Sequence, residues 1–235
     1  MGLLKIGHRQ HKGAVPPYFL QGTHMKANIK RANKDDKVNL YTTPPWAIDA
    51  LLATGELDDC SYPWEFCCGM GHISERLLNH FGRCLSTDLY DHGYQLGESG
   101  IDFLEYTDDE VDLLCTNPPF DTEGTHFTML KHALTMPNVK KIALFMPVQF
   151  LETKERADWL IANPHLTVMY SFADRVKCLT KGDPKLSKDN TAKHFAWFIF
   201  DPAYRGDAKV KHLFKPDHMR RGYKRQVCPE SVESV

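Results

Sequence analysis

Glycine and polar residues stand at the ends of several apolar runs of this sequence. Gly69 and Gly71 allow a tight turn after the first run and a close approach of the backbone to a ligand, and Glu65 could accept a hydrogen bond from a cationic amine. Asp88 ends the next run, where a carboxylate can accept both ribose hydroxyls of a nucleoside. At Asp102–Phe103 an acid could meet an exocyclic amine and a ring could border an adenine. Together these residues indicate a nucleoside site.

A fourth run ends in the stretch Leu114–Phe120, which reads LCTNPPF. Pro118 and Pro119 each fix φ and remove a backbone donor, so a strand has to end there in a rigid, extended turn. The turn would hold the Asn117 amide and the Phe120 ring still. An amide following two acids and a glycine pair, each at the end of an apolar run, indicates function rather than coincidence.

Apolar runs that read as strands alternate with amphipathic stretches that read as helices between residues 41 and 203. Such alternation predicts an α/β fold with a mostly parallel, seven-stranded sheet and helices on both faces. The last two runs are joined by a polar loop, residues 174–193, without a helix, so we expect the last strand to be antiparallel. Ligands of open α/β sheets bind outside the carboxyl ends of the strands, where the chemical residues above would lie.

Composition bounds the class of protein. The 235 residues are 42% hydrophobic and 25% charged, which is typical of a globular chain with one main domain. No apolar run approaches the roughly 18 residues of a membrane helix, and no secretory signal is evident, so we expect a cytoplasmic protein without a membrane partner. The seven cysteines are odd in number and form no C-x-x-C pair, so neither a disulfide framework nor a metal site is expected.

The net charge of −1 is unevenly distributed along the chain. Residues 1–40 carry eight Lys/Arg against two Asp/Glu, and residues 203–235 carry eight against four. We therefore predict three parts: a basic N-terminal arm at 1–40, part of which could derive from an expression vector; a main domain at 41–203; and a basic C-terminal tail at 204–235. Basic segments can bind a polyanion because Lys and Arg displace counterions from phosphates.

At this point the sequence resembles a known family, the S-adenosylmethionine-dependent amino-group methyltransferases, above all the DNA adenine N6 methyltransferases. NPPF resembles their catalytic tetrapeptide, EFCCGMG their glycine motif, Asp88 their ribose-binding acid and DFL at residues 102–104 their adenine-contacting motif. YTTPPWAIDALL resembles the segment that lies against the methionine end of the cofactor. FMPVQFLETKERADWL resembles compact phage-type and prophage-type members. The resemblance covers roughly residues 40–203.

The resemblance implies a Rossmann-like methyltransferase fold, S-adenosylmethionine as cofactor and nucleic acid, above all DNA, as substrate. It assigns catalysis to Asn117, Pro118, Pro119 and Phe120. It assigns cofactor binding to Tyr41, Thr42, Thr43, Pro44, Glu65, Phe66, Cys67, Gly69, Gly71, Asp88, Leu89, Asp102, Phe103 and Asn117. Since no separate target-recognition domain is evident, we assign phosphate contacts to the polar loop, at Arg175, Lys177, Lys181, Lys185 and Lys188.

The implied chemistry accounts for the tetrapeptide. An exocyclic aromatic amine is a poor nucleophile because its lone pair is delocalised into the ring. The Asn117 oxygen and the Pro118 carbonyl could accept both N–H bonds and favour the pyramidal form, while Phe120 stacks on the base. Methylation of an RNA adenine or of a protein glutamine amide, a catalytically silent nucleic-acid-binding module and a dinucleotide-dependent oxidoreductase remain alternatives, although the last gives NPPF no role.

Overall fold

The computed structural model describes residues 40–106, 108, 110–121, 124–180 and 193–216. In these ranges the α-helices are α1 (Pro45–Leu52), α2 (His72–Phe81), α3 (Thr125–Ala133) and α4 (Lys154–Ala162), with a 3-10 turn at Val148–Leu151. The strands are β1 (Tyr41–Thr42), β2 (Pro63–Glu65), β3 (Leu85–Asp88), β4 (Glu98–Ser99), β5 (Leu113–Thr116), β6 (Lys141–Pro147), β7 (Leu166–Phe172), β8 (Leu179–Thr180), β9 (Phe195–Phe200) and β10 (Lys209–Leu213).

Eight strands form one sheet in the order β10-β7-β9-β6-β5-β2-β3-β4. Strands β2 to β6 pair in parallel, and β9 runs antiparallel between β6 and β7. The prediction of a mostly parallel sheet in which the last two runs are antiparallel neighbours is confirmed. The remaining strands, β1 and β8, pair with each other as a separate antiparallel ribbon.

Two short strands differ from the sequence prediction. We expected a basic tail from residue 204, but Lys209–Leu213 form the edge strand β10, parallel to β7, so the sheet has eight strands rather than seven. Its first four residues are exposed, and a polar edge strand carries no apolar run by which to recognise it. The apolar run at Asp102–Phe103, which we expected to be a strand end, is instead a turn in which the Asp102 carbonyl accepts hydrogen bonds from the amides of Glu105 and Tyr106.

Apolar side chains pack on both faces of the sheet, as parallel strands require. In β5, Leu113 and Cys115 belong to the core cluster under α1 and α2, whereas Leu114 belongs to the cluster under α3. All three are fully buried, and each buried leucine contributes about 1.5–3 kcal/mol of stabilisation. Core packing on both faces therefore fixes the position of β5 and of residues 117–120, which follow it.

Candidate active site

The carboxyl ends of β5, β2 and β3 lie side by side because these strands are adjacent and parallel. The Gly69 amide, in the turn after β2, donates a hydrogen bond of 2.8 Å to Oδ2 of Asp88 at the end of β3. Positive φ angles of 52° at Gly69 and 81° at Gly71 produce this turn, in a region that other residues rarely adopt. The predicted glycine turn and the predicted acid are thus in direct contact.

A shallow pocket opens beside Asp88. The Tyr90 amide donates to Oδ1 of Asp88 at 2.9 Å, and His92 Nε2 lies 3.7 Å from the same oxygen. A carboxylate has about four acceptor positions, so Asp88 can accept hydroxyl donors besides these two amides. The pocket is lined by Cys68, Gly69, Asp88, Tyr90, Asp91, His92, Tyr94, Gly97, Glu98 and Ser99.

Glu65, at the end of β2, is buried and bonded within the protein. Its Oε2 accepts hydrogen bonds from the amide and the hydroxyl of Ser74 in α2, the former at 2.6 Å. Ser86 in β3 donates to the Ser74 hydroxyl at 2.7 Å. Burial raises the pKa of the Glu65 carboxyl well above its usual 4.5, an effect that the Ser74 hydrogen bonds partly offset. Its Oε2 therefore links β2 to the first turn of α2.

The Asn117 side chain is oriented by a contact from outside the large sheet. Its Nδ2 donates a hydrogen bond of 3.0 Å to the backbone carbonyl of Tyr41. Because only the amide nitrogen can donate to a carbonyl, this contact fixes which way the amide points and leaves Oδ1 as an acceptor. Tyr41 is held in turn by the β1–β8 ribbon, where it pairs with Thr180.

Phe120, three residues further on, is partly exposed and stacks on an imidazole. The rings of Phe120 and His126 have centroids 4.3 Å apart and an interplanar angle of 23°. His126 is 4% exposed, its Nδ1 is buried without a hydrogen-bond partner among the described residues, and burial and nearby Arg156 lower its pKa. Sequence reasoning missed His126, because a lone histidine in a helix gives no signal of what it packs against.

Phe103, predicted to border the adenine, and Phe66, predicted to bind the cofactor, both lie in the core. Phe103 is 2% exposed and stacks on Phe66 with centroids 3.8 Å apart. Asp102 is half-buried, and its Oδ1 accepts a hydrogen bond from the Leu104 amide at 2.9 Å. Phe103 is therefore part of the core and does not present its ring on an open surface. Of the two residues, Asp102 is the one that could contact the cofactor directly.

The remaining predicted cofactor residues differ in their burial and hydrogen bonding. Thr42, Thr43 and Pro44 are buried, and the Thr43 hydroxyl has no hydrogen-bond partner among the described residues. A buried polar atom without a partner is costly unless water or a ligand satisfies it. Leu89 and Cys67 are half-buried, and the Cys67 carbonyl accepts a hydrogen bond of 3.5 Å from Thr116 Oγ1.

The predicted phosphate contacts are described only in part. Arg175 and Lys177 are exposed and alternate with the buried residues Val176 and Cys178, just before β8. Lys181, Lys185 and Lys188 lie outside the described residues. In the part of the chain that the structure describes, no cluster of three or more His, Cys, Asp or Glu side chains could hold a metal ion. None of the helices there is long and apolar enough to cross a membrane.

Solved structures share this fold at low sequence identity. A protein described as an RNA methyltransferase from Pyrococcus horikoshii superposes with a TM-score of 0.53 at 15% identity, over 72% of this chain and 90% of its own. A class I S-adenosylmethionine-dependent methyltransferase from Listeria monocytogenes gives 0.55 at 12% identity, over 77% and 68%.

A methyltransferase subunit of a type I restriction-modification system from Streptococcus thermophilus gives 0.55 at 12% identity over 78% of this chain, which spans only 52% of that subunit. Identities this low establish the fold, which is the Rossmann-like methyltransferase fold, and nothing finer. No protein-family model and no curated protein matches the sequence.

Proposed function

We propose that this chain transfers a methyl group from S-adenosylmethionine to the exocyclic N6 amine of adenine in DNA. The observation that carries the proposal is the Asn117 amide. It follows the central strand of a methyltransferase fold, and its Nδ2 is bound to the Tyr41 carbonyl so that Oδ1 is left to accept a hydrogen bond.

The residues at this edge suit the cofactor. Asp88 retains acceptor positions for the ribose hydroxyls, and its carboxylate adjoins a pocket beside the glycine turn. The buried Thr43 hydroxyl, which has no hydrogen-bond partner in the part of the chain that the structure describes, could bind the methionine end of the cofactor. The cofactor would supply the electrophilic methyl group, and we keep Leu89 and Asp102 as the residues nearest its adenine.

In the proposed reaction the tetrapeptide binds and orients the amine. Asn117 Oδ1 and the Pro118 carbonyl accept its two N–H bonds, which favours a localised lone pair at nitrogen. Because Pro118 and Pro119 fix the turn, little reorganisation is needed as positive charge develops. Phe120 stacks on the base with its free face, and His126 supports the other face of that ring.

Two of the solved structures differ in the nucleic acid that their descriptions name. The S. thermophilus neighbour belongs to a restriction-modification system, which favours DNA, whereas the P. horikoshii neighbour is described as acting on RNA and shares more of its length with this chain. RNA adenine is therefore the second candidate. A protein glutamine amide is disfavoured because NPPF is accompanied here by basic segments suited to phosphates.

Methyl transfer from labelled cofactor to DNA, RNA and protein, each measured separately and followed by nucleoside analysis, tests the proposal. We expect label in N6-methyladenine recovered from DNA, at an initial rate that falls by about two to three orders of magnitude in the Asn117→Ala control. Label in RNA alone would replace the substrate by the second candidate. Label in protein alone, or in cytosine, would contradict the proposal.

A further inference from the structure

The connection between β3 and β4 lacks the helix that usually covers a parallel crossover. The two strands pair in parallel, yet residues 89–97 between them form only bends and turns. This connection contains Tyr94, whose ring reaches the glycine turn after β2.

Tyr94 lies against two glycines from different parts of the chain. A Cβ atom at position 71 would overlap its ring, and a Cβ at position 97 would come within 2.9 Å of its Cδ1. Gly71 also has a φ of 81°, whereas Gly97 lies outside the left-handed region and is restricted by space alone. The ring is thus held between the glycine turn that starts α2 and the end of its own connection.

The same ring lines the pocket beside Asp88. Gly69, Asp88, Tyr94 and Gly97 share that pocket, and the Gly69 amide binds Asp88. Burial raises the pKa of the Tyr94 hydroxyl to about 12, so the side chain is neutral at physiological pH. A neutral ring in this position can set the distance between the glycine turn and the connection without adding charge near Asp88.

We propose that Tyr94 is a positioning residue for the cofactor: its ring holds the glycine turn at Gly69–Gly71 and the connection at residues 89–97 in the spacing that binds the nucleoside part of S-adenosylmethionine. This inference rests on the proposed function. It assigns a specific task to a residue that neither touches the reacting atoms nor belongs to any motif described above.

Replacement of Tyr94 tests the task. Tyr94→Ala should weaken S-adenosylmethionine binding about tenfold by calorimetry, because the pocket would lose its preorganised shape. In steady-state kinetics KM for the cofactor should rise while kcat at saturation stays close to that of the wild type. Tyr94→Phe should bind the cofactor with the affinity and KM of the wild type, since the ring and not the hydroxyl contacts the glycines. Tyr94→Leu serves as a bulkier variant if the alanine variant fails to fold.

A double-mutant cycle with Gly97 sharpens the test. Gly97→Ala should weaken cofactor binding by displacing the ring, and it should add less in a Tyr94→Ala background, where the ring is absent and the closest remaining atom is Cys68 Sγ at 3.0 Å. Gly206→Ala is the matched control, since a Cβ there would come within 2.8 Å of the Tyr204 hydroxyl in the β9–β10 turn. The control should leave cofactor affinity unchanged.

The outcomes separate this inference from the proposed function. If the wild type fails to bind S-adenosylmethionine, the proposed function fails and the inference with it. If the wild type binds but Tyr94→Ala lowers only the melting temperature, with an unchanged dissociation constant, the inference alone is overturned. Tighter binding by Tyr94→Ala would also overturn it, because the ring would then occupy the place of the cofactor.

Discussion

The large sheet has an acidic side, which contains β3 and β4, and a basic side, which contains β6, β7, β9 and β10. Among the described residues, 84–106, 108 and 110–112, which contain β3 and β4, carry eight Asp/Glu and no Lys or Arg. Among the described residues, 131–180 and 193–216, which contain β6, β7, β9 and β10, carry twelve Lys/Arg and six Asp/Glu. In the order of strands, β5 and its tetrapeptide lie between the two sets.

This difference shows that a net charge of −1 conceals a directed electrostatic field. The acidic side holds Asp88 and the proposed site of a cofactor that carries a net positive charge. It also repels phosphates, so we expect a nucleic acid to approach the tetrapeptide over the basic side. We therefore expect substitutions on the acidic side to alter cofactor binding and substitutions on the basic side to alter nucleic-acid binding. Substitutions in the tetrapeptide between them should alter the rate of methyl transfer.

The largest effect should come from Asn117, between the two sides. Asn117→Ala should lower single-turnover rates by about two to three orders of magnitude, the scale for one oriented polar group in a transition state. Affinities for cofactor and nucleic acid should change little. A folded Asn117→Ala protein with near-normal turnover would remove the amide from the mechanism, and Asn79→Ala, on the surface of α2, is the control for loss of an amide.

On the acidic side, Asp88→Ala should weaken cofactor binding by about 1.5–3 kcal/mol, the range for hydrogen bonds to charged groups. Binding of nucleic acid should be unchanged or slightly tighter, since a negative charge is lost. Calorimetry with each ligand measures both effects. Glu105→Gln, an exposed residue of the same acidic segment, is the matched control, and an equal loss in that variant would mean that general charge rather than a specific contact binds the cofactor.

In the polar loop of residues 174–193, replacing Lys181, Lys185 and Lys188 with Gln should weaken nucleic-acid binding regardless of sequence. The salt dependence of the binding constant should flatten by about one unit of slope for each phosphate that a lysine no longer neutralises. Lys140→Gln removes a charge immediately before β6, at the opposite edge of the sheet from the tetrapeptide, and should leave the slope unchanged. An unaltered slope in the triple variant would shift the assignment to the basic terminal segments.

The smallest effect concerns Glu65, whose carboxyl contrasts with the exposed acids around it. Because its folded pKa is raised, the stability it contributes is fully present below its unfolded pKa and is lost as pH rises through the folded value. Glu65→Gln should therefore remove part of the fall in unfolding free energy above pH 4.5, as measured by denaturant titration at several pH values. Identical pH profiles for both proteins would contradict the raised pKa.

Local sequence predicted the parts of the site that follow strands. Alternation of apolar runs gave the parallel sheet, and two prolines after an apolar run marked the end of β5, so the proximity of Gly69, Asp88 and Asn117 followed from topology. The antiparallel β9 was predictable as well, because strands joined by a polar loop without a helical pattern are usually antiparallel neighbours, although β3 and β4 show that a connection without a helix can also join parallel strands.

Contacts between distant segments were not predictable. The Tyr41 carbonyl meets Asn117 across 76 residues, and nothing near either residue encodes the pairing. Gly71 was interpreted as giving a ligand access to the backbone, whereas its open side receives Tyr94. Phe103 was expected to border an adenine, yet apolarity alone cannot tell a ring that stacks on Phe66 from one that stacks on a ligand.

The β1–β8 ribbon bears on where this domain begins. A shortened chain starting at Pro45 would keep α1 and every strand of the eight-stranded sheet, so we expect it to fold. It would lack the Tyr41 carbonyl, so the Asn117 amide could rotate and present its nitrogen to the amine that we propose it binds. We therefore expect the shortest chain that folds to be shorter than the shortest chain that transfers a methyl group.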